Sequence, residues 1–235
     1  MKPSTKPPAG MRDFLPHEIA ERRYALDVIR GVYERHHFKP IDTPVLENLS
    51  VLTGKYGDEG DQLIFKVLKR GQKLDRALAA ADPEPGSLAS MGMRYDLTVP
   101  LCRVVAQHQN DLPAIFKRYQ IAPVWRADRP ARGRFREFYQ CDLDIVGSAS
   151  WIVEVDVLTA AAEALHALGF EEFTIRLNDR ALLAALTDAA GIPQEQSASA
   201  LVSLDKLDKI GRDGVEAELS RNGFSSEQAN ALFAL

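Results

Sequence analysis

The sequence is poor in the residues that announce special chemistry. It has two cysteines, Cys102 and Cys141, in 235 residues, and they form no CxxC pair. A disulfide framework and a cysteine-based zinc site are therefore not expected, and a reducing, cytoplasmic setting is. No run of about 18 apolar residues occurs, so no membrane span is expected. The first residues, MKPSTKPPAGMRDFLP, have no apolar stretch of the kind a secretory signal needs. They read as a mobile, proline-rich lead-in over residues 1–16. There is no excess of positive charge: the formal net charge is −4, so the chain as a whole does not attract nucleic acid, although a local basic patch still can. What is present is ordinary for a globular protein, with 46% hydrophobic and 26% charged residues.

The periodicities divide the chain. After Pro16, the recurrence of Ala20, Tyr24, Val28, Val32 and His36 at i, i+4 predicts a helix. His36 and His37 are read as helix-end residues, favoured there by the dipole. KPIDTPVLE is extended, with Pro40 and Pro44 suited to an edge. YGDEGD and AADPEPGSLAS are loops, and QLIFKVLKRG is a strand and turn. MGMRYDLTVPLCRVVAQHQN reads as a short strand entering a helix, with Thr98 as cap and Pro100 in the first turn. PAIFKRYQIAPVWR and REFYQCDLDIVG are long strands joined by the loop ADRPARGRF, an expected antiparallel pair. A helix from Ser150 to Gly169 and a strand at EEFTIRLND follow. From Arg180 the chain is rich in Ala and Leu and helical, broken at GIP, RDG and NGF. The pattern is α+β: an antiparallel sheet flanked by helices, then a small helical region. The boundaries are a core over residues 17–179 and helices over 180–235.

The second long strand carries an unusual face. Alternate side chains point to opposite sides, so Phe135, Glu137, Tyr139, Cys141, Leu143 and Ile145 share one face, which is mostly apolar and belongs against a core. Arg134, Arg136, Phe138, Gln140, Asp142 and Asp144 share the other. In the first strand Arg118, Gln120 and Arg126 have matching parity. The second face grades from basic near the loop to acidic further along. It suits a solvated outer face of an antiparallel sheet. It equally suits an anionic ligand with an aromatic base, since Arg recognises phosphate bidentately.

FKRYQIAPVWRADRPARGRFREFYQCDLDIVG closely resembles motif 2 of class II aminoacyl-tRNA synthetases, in the form found in the histidyl-tRNA synthetase family. PPAGMRDFLP, YERHHFKPIDTPVLE (motif 1), RYDLTVPLCR, RLNDRALL and LDKLDKI resemble further family segments, so the resemblance runs from Gly10 to at least Ile210. It implies an incomplete class II catalytic fold followed by part of an inserted helical domain. It implies activation of histidine by ATP with Mg²⁺ as a substrate complex, and transfer to histidine tRNA, with no tightly bound cofactor and no protein-held metal. Arg126 is implied to act in catalysis on the α-phosphate and the substrate carboxylate. Asp128, Arg134, Arg136 and Phe138 complete the ATP positions, with Asp128 shorter than the usual Glu. Asp96, Leu97, Thr98, Gln140 and Asp144 are the implied histidine positions. Arg129 and Arg132 are implied to approach the tRNA acceptor end, and Pro44 to lie at a homodimer interface. Asp142 and Glu137 have no implied role and read as structural. Arg94 and Tyr95 are left without a role, and both cysteines read as small core hydrophobes. Later family segments, with a catalytic arginine, motif 3 and an anticodon-binding domain, are not found in these residues. The chain alone is expected to lack full aminoacylation activity. Two other readings stay open: the histidine-binding regulatory subunit of a phosphoribosyltransferase, and a non-catalytic dimerising fragment.

Overall fold

A computed structural model describes residues 4–53, 62–80 and 85–234. The contacts divide the chain into two units, Met1–Glu171 and Glu172–Leu235. The composition shift at residue 179 falls eight residues beyond that division.

The first unit opens with α1 (Pro16–Arg35), β1 (Lys39–Pro40), β2 (Leu46–Asn48) and α2 (Leu49–Leu52). It continues with β3 (Lys66–Leu68), α3 (Gln72–Leu78), a 3-10 turn at Pro85–Leu88, β4 (Ala89–Met93) and α4 (Thr98–His108). It closes with β5 (Phe116–Trp125), β6 (Glu137–Val146) and α5 (Trp151–Ala167). The strands form two three-stranded sheets, in the orders β1-β5-β6 and β2-β4-β3. The long pair is antiparallel along its whole length, from Phe116 opposite Val146 to Trp125 opposite Glu137. β1 adds to β5 in parallel, which the antiparallel expectation did not include.

The apolar face of the long pair packs as its parity requires from Cys141 onward, whereas Glu137 and Tyr139 on the same side of β6 are exposed, Tyr139 by 42%, and Phe135 precedes the strand. Tyr119, Ile121, Cys141, Leu143 and Ile145 meet Val32, Tyr33 and Phe38 around α1, and Ala160 and Ala164 of α5. Burying such side chains contributes roughly 1.5–3 kcal/mol each. The Tyr33 hydroxyl donates to the Cys141 carbonyl at 3.1 Å. The helix stripe expected for α1 is out of phase with this core: Tyr24 is 70% exposed, while Val32 and Tyr33 are the buried pair. An i, i+4 series drifts around the helix, and only its C-terminal end faces the sheet. α5 begins as expected, with the Ser150 hydroxyl accepting from the Ile152 N–H. Its end is tied to α1, where Glu163 accepts from Arg35 and pairs with His36, each at 2.6 Å.

Some further expectations meet a different structure, and some fall outside the described residues. Residues 171–179 join no ladder among the described residues, because alternation makes a strand only where a partner supplies hydrogen bonds. Cys102 lies exposed on α4, whose buried face is Val99, Pro100 and Leu101. The loop expected at residues 56–61 lies outside the described residues, as do residues 81–84 of the next; its end forms the 3-10 turn and the start of β4.

Gly147 ends β6 with φ +99°, and an added Cβ would lie 1.8 Å from the Ala114 carbonyl oxygen. Both the left-handed backbone and the contact exclude a side chain. Gly147→Ala is expected to lower stability by about 2 kcal/mol, read as a lower urea midpoint with unchanged slope.

The second unit is helical: α6 (Arg180–Ala189), α7 (Gln194–Leu204), α8 (Leu207–Arg221) and α9 (Ser226–Ala234). Asp179 caps α6, accepting from Ala181 and Leu182 N–H groups. The core joins Ala190, Ile192, Ala200, Val215, Leu219, Phe224, Ala229 and Leu232. The break expected at RDG occurs one residue earlier, at Gly211 with φ +68° inside α8. Among the described residues no helix is long and apolar enough to cross a membrane.

Candidate functional site

The antiparallel register sets Arg118 opposite Asp144, Gln120 opposite Asp142, Ala122 opposite Gln140 and Val124 opposite Phe138. One face of β5 and β6 is thus a paired ladder. At one end Phe138 packs with Leu97, Ala122 and Val124. At the other, Arg118 is fully buried and lies 2.5 Å from an Asp144 carboxylate oxygen. β5 places polar groups inward where a solvated outer face would expose them: Gln120 is 1% exposed, while Gln140, Asp142 and Asp144 of β6 are half-buried.

Arg126 follows β5 directly. Its backbone N–H donates to the Arg136 carbonyl at 2.9 Å, closing the pair beyond Trp125. Its Nε donates to the buried Tyr95 carbonyl at 3.0 Å, and its guanidinium lies 5.1 Å from the Phe138 ring centroid. The loop beyond is braced from within. Arg134 pairs with the Asp128 carboxylate at 3.1 Å, and Arg136 Nε donates to the Asp128 carbonyl at 2.9 Å. The lead-in expected to be mobile meets this loop: the Arg136 N–H donates to the Gly10 carbonyl at 2.7 Å. Gly10 has φ +80°, and a Cβ there would lie 2.8 Å from Arg136. Arg129 and Arg132 are exposed on the loop.

The RYDLT segment comes to the same ladder. The Leu97 carbonyl accepts from Arg118 at 3.3 Å, and Asp96, 7% exposed, accepts from the Val99 N–H at 3.0 Å. The capping contact of α4 therefore comes from Asp96 and not from Thr98, which is already its first helical residue. Pro44 lies elsewhere, exposed before β2, beside Val45 and Leu46, which are 40% and 41% exposed.

Two groups without a role from sequence prove central. Arg94, 2% exposed, donates to the carbonyls of Pro123 and Thr43 and so clamps β4 and the segment before β2 onto β5. Gln120 donates to Asp42 and Thr43 at 3.0 and 3.1 Å. The second is Arg118. Its parity was visible, but only the register reveals that it meets Asp144. The Arg118 Nε and Nη1 and the side-chain oxygens of Gln120 and Gln140 are buried without hydrogen-bond partners among the described residues. Four such atoms on one face are a feature of ligand-facing sites, since buried polar groups are otherwise satisfied.

Burial raises the Asp142 carboxyl above its usual range; Arg118 opposes this, and Asp144 and Asp96 add to it. A carboxyl raised in the folded state favours folding at low pH, and that contribution is lost as pH rises through the folded-state value. At neutral pH Asp142 therefore costs stability. Asp142→Asn is expected to raise the thermal midpoint at pH 7, with the gain vanishing below the ordinary aspartate range.

Comparison with known proteins is consistent with this geometry. A family model described as histidyl-tRNA synthetase matches residues 10–235. A histidine–tRNA ligase of Leifsonia xyli is 49% identical over 95% of the chain and 52% of its own length. That of Christiangramia forsetii is 47% identical over 98% of the chain and 51% of its own. The chain spans about half the length of these curated relatives. The crystal structure of histidyl-tRNA synthetase from Nostoc has a TM-score of 0.79 and 33% identity over 99% of the chain and 48% of its own. A structure titled as an ATP phosphoribosyltransferase regulatory subunit/histidyl-tRNA synthetase, from Bacillus halodurans, shares the fold with a TM-score of 0.74 at 21% identity, over 99% of the chain and 56% of its own.

Proposed function

The chain belongs to the histidyl-tRNA synthetase family, and from that premise we propose that its β5–β6 ladder binds histidine and ATP for histidine–tRNA ligation. The observation that carries this is the order along one face: Arg126, Phe138, Gln140, then Asp144 paired to Arg118. Phosphates and adenine meet the Arg126–Phe138 end, with Arg134, Arg136 and Asp128 on the ATP. The amino acid meets Gln140, Asp144 and the Asp96–Thr98 turn. Mg²⁺ enters with the nucleotide as substrate.

In the proposed reaction, the histidine carboxylate attacks the α-phosphorus and pyrophosphate leaves, giving histidyl-adenylate. The histidyl group then passes to a terminal ribose hydroxyl of histidine tRNA, releasing AMP. Charge builds on phosphate oxygens in the first step, and Arg126 is held against the Tyr95 carbonyl to meet it, so positioning and electrostatics supply the catalysis. A buried amide and carboxylates discriminate for an imidazole and an ammonium, because a ligand lacking those donors leaves them unpaired. Arg129 and Arg132 are proposed to approach the tRNA acceptor end. A homodimer in the cytoplasm, joined through the exposed Pro44–Leu46 edge, completes the reading, and sedimentation tests its dimer part.

Calorimetric titration of the chain with histidine, histamine and ATP is the direct test. Saturable binding of histidine and ATP is expected. Histidine binding without any affinity for ATP would favour the regulatory-subunit reading that the Bacillus halodurans fold leaves open. Binding of neither would overturn the proposal.

A further inference from the structure

The arginine at the closed end of the ladder carries more than a packing role. Arg118 has no exposed surface, one guanidinium nitrogen 2.5 Å from Asp144, and contact with the Leu97 carbonyl. Its Nε and Nη1 are buried without hydrogen-bond partners among the described residues. Asp144, Asp142 and Asp96 all act on it electrostatically, as does Cys102 of α4. One guanidinium is thus paired with Asp144 and lies in the field of two more carboxylates, Asp142 of β6 and Asp96 of the β4–α4 turn. An arginine that served folding alone would be expected to have all its donors matched, since a buried ion pair is stable only when its remaining donors are satisfied.

We propose that Arg118 is a positioning residue for the amino-acid site: it fixes the Asp144 carboxylate and the Leu97 backbone together, and so sets how the imidazole ring is held. This rests on the function proposed above. The guanidinium fork makes the assignment specific. It reaches a carboxylate and a backbone carbonyl from one planar group, whereas a lysine offers a single point charge.

The test compares the unsubstituted chain with Arg118→Lys and Arg118→Met, using histidine labelled with ¹⁵N in the ring. Histidine affinity is expected to fall roughly 30-fold in Arg118→Met, since one partner of a buried charge pair is lost. Arg118→Lys should bind better than Arg118→Met but below the unsubstituted chain. ATP affinity should hold in both, and the ring ¹⁵N shifts of bound histidine should move. A purely structural role would lower the thermal midpoint and weaken both ligands together, leaving the shifts of any bound histidine unchanged, and that result overturns the inference. So does unchanged histidine affinity with unchanged shifts in either variant. If Arg118→Met does not fold, Arg118→Lys decides by the same readouts. Failure of the unsubstituted chain to bind histidine overturns the proposed function itself, and this inference with it.

Discussion

Arg126→Ala is expected to cut ATP affinity by about two orders of magnitude while leaving the fold intact. A guanidinium meets phosphate through paired charge-assisted hydrogen bonds, each contributing about 1.5–3 kcal/mol. The side chain is suited to that task and is not needed for packing. It is only partly buried, and among the described residues its one side-chain hydrogen bond runs to the Tyr95 carbonyl. The strand pair it follows is closed by its backbone, through the N–H to the Arg136 carbonyl, which alanine retains. Arg126→Lys should recover only part of the loss, because an ammonium cannot make the paired contact. Histidine binding measured without ATP should weaken far less, since only the carboxylate end of the amino acid reaches Arg126 in the proposed arrangement. Calorimetry against ATP, with circular dichroism as the folding control, decides the matter. An alanine variant that binds ATP normally would remove Arg126 from the site and with it the phosphate end of the ladder.

Local rules carried the reading where one segment determined the outcome. Parity separated the core side of β6, at Cys141, Leu143 and Ile145, from the side of Gln140, Asp142 and Asp144, because the two-residue repeat of a strand needs no knowledge of its neighbours. Ser150 and Gly169 bounded α5 for a similar reason: caps are local hydrogen bonds and local backbone conformations. The failures lie where tertiary contacts decide. Thr98 has the right chemistry for a cap, yet Asp96 is placed to accept the Val99 N–H. The alternation at residues 171–179 finds no partner strand among the described residues. Cys102 shows that helix position, and not residue type, sets exposure. The two buried arginines, Arg94 and Arg118, were the hardest to assign. Arginine is almost never fully buried unless paired, and their partners lie 51 and 26 residues away, at Thr43 and Asp144. Neither separation leaves a mark on a linear pattern.

The same chemical change at two alternate positions of β6 should have opposite effects. Asp144→Asn removes the carboxylate that faces a fully buried Arg118 at 2.5 Å. Breaking one side of a buried pair leaves an uncompensated charge, at a cost of about 3 kcal/mol or more. A large fall in the urea midpoint is expected, together with loss of histidine binding. Asp142→Asn removes a carboxylate whose burial outweighs its attraction to Arg118, so stability at neutral pH should rise. The two effects cannot be additive, because both carboxylates act on one guanidinium. With Asp144 neutralised, Asp142 becomes a principal remaining counter-charge, beside Asp96. The Asp142→Asn change should then destabilise the chain where alone it stabilised it. A reversal of sign in the double-substitution cycle is therefore the signature of a shared buried cation. Equal and additive shifts from the two asparagines would mean that Arg118 does not hold the acidic end of the ladder together.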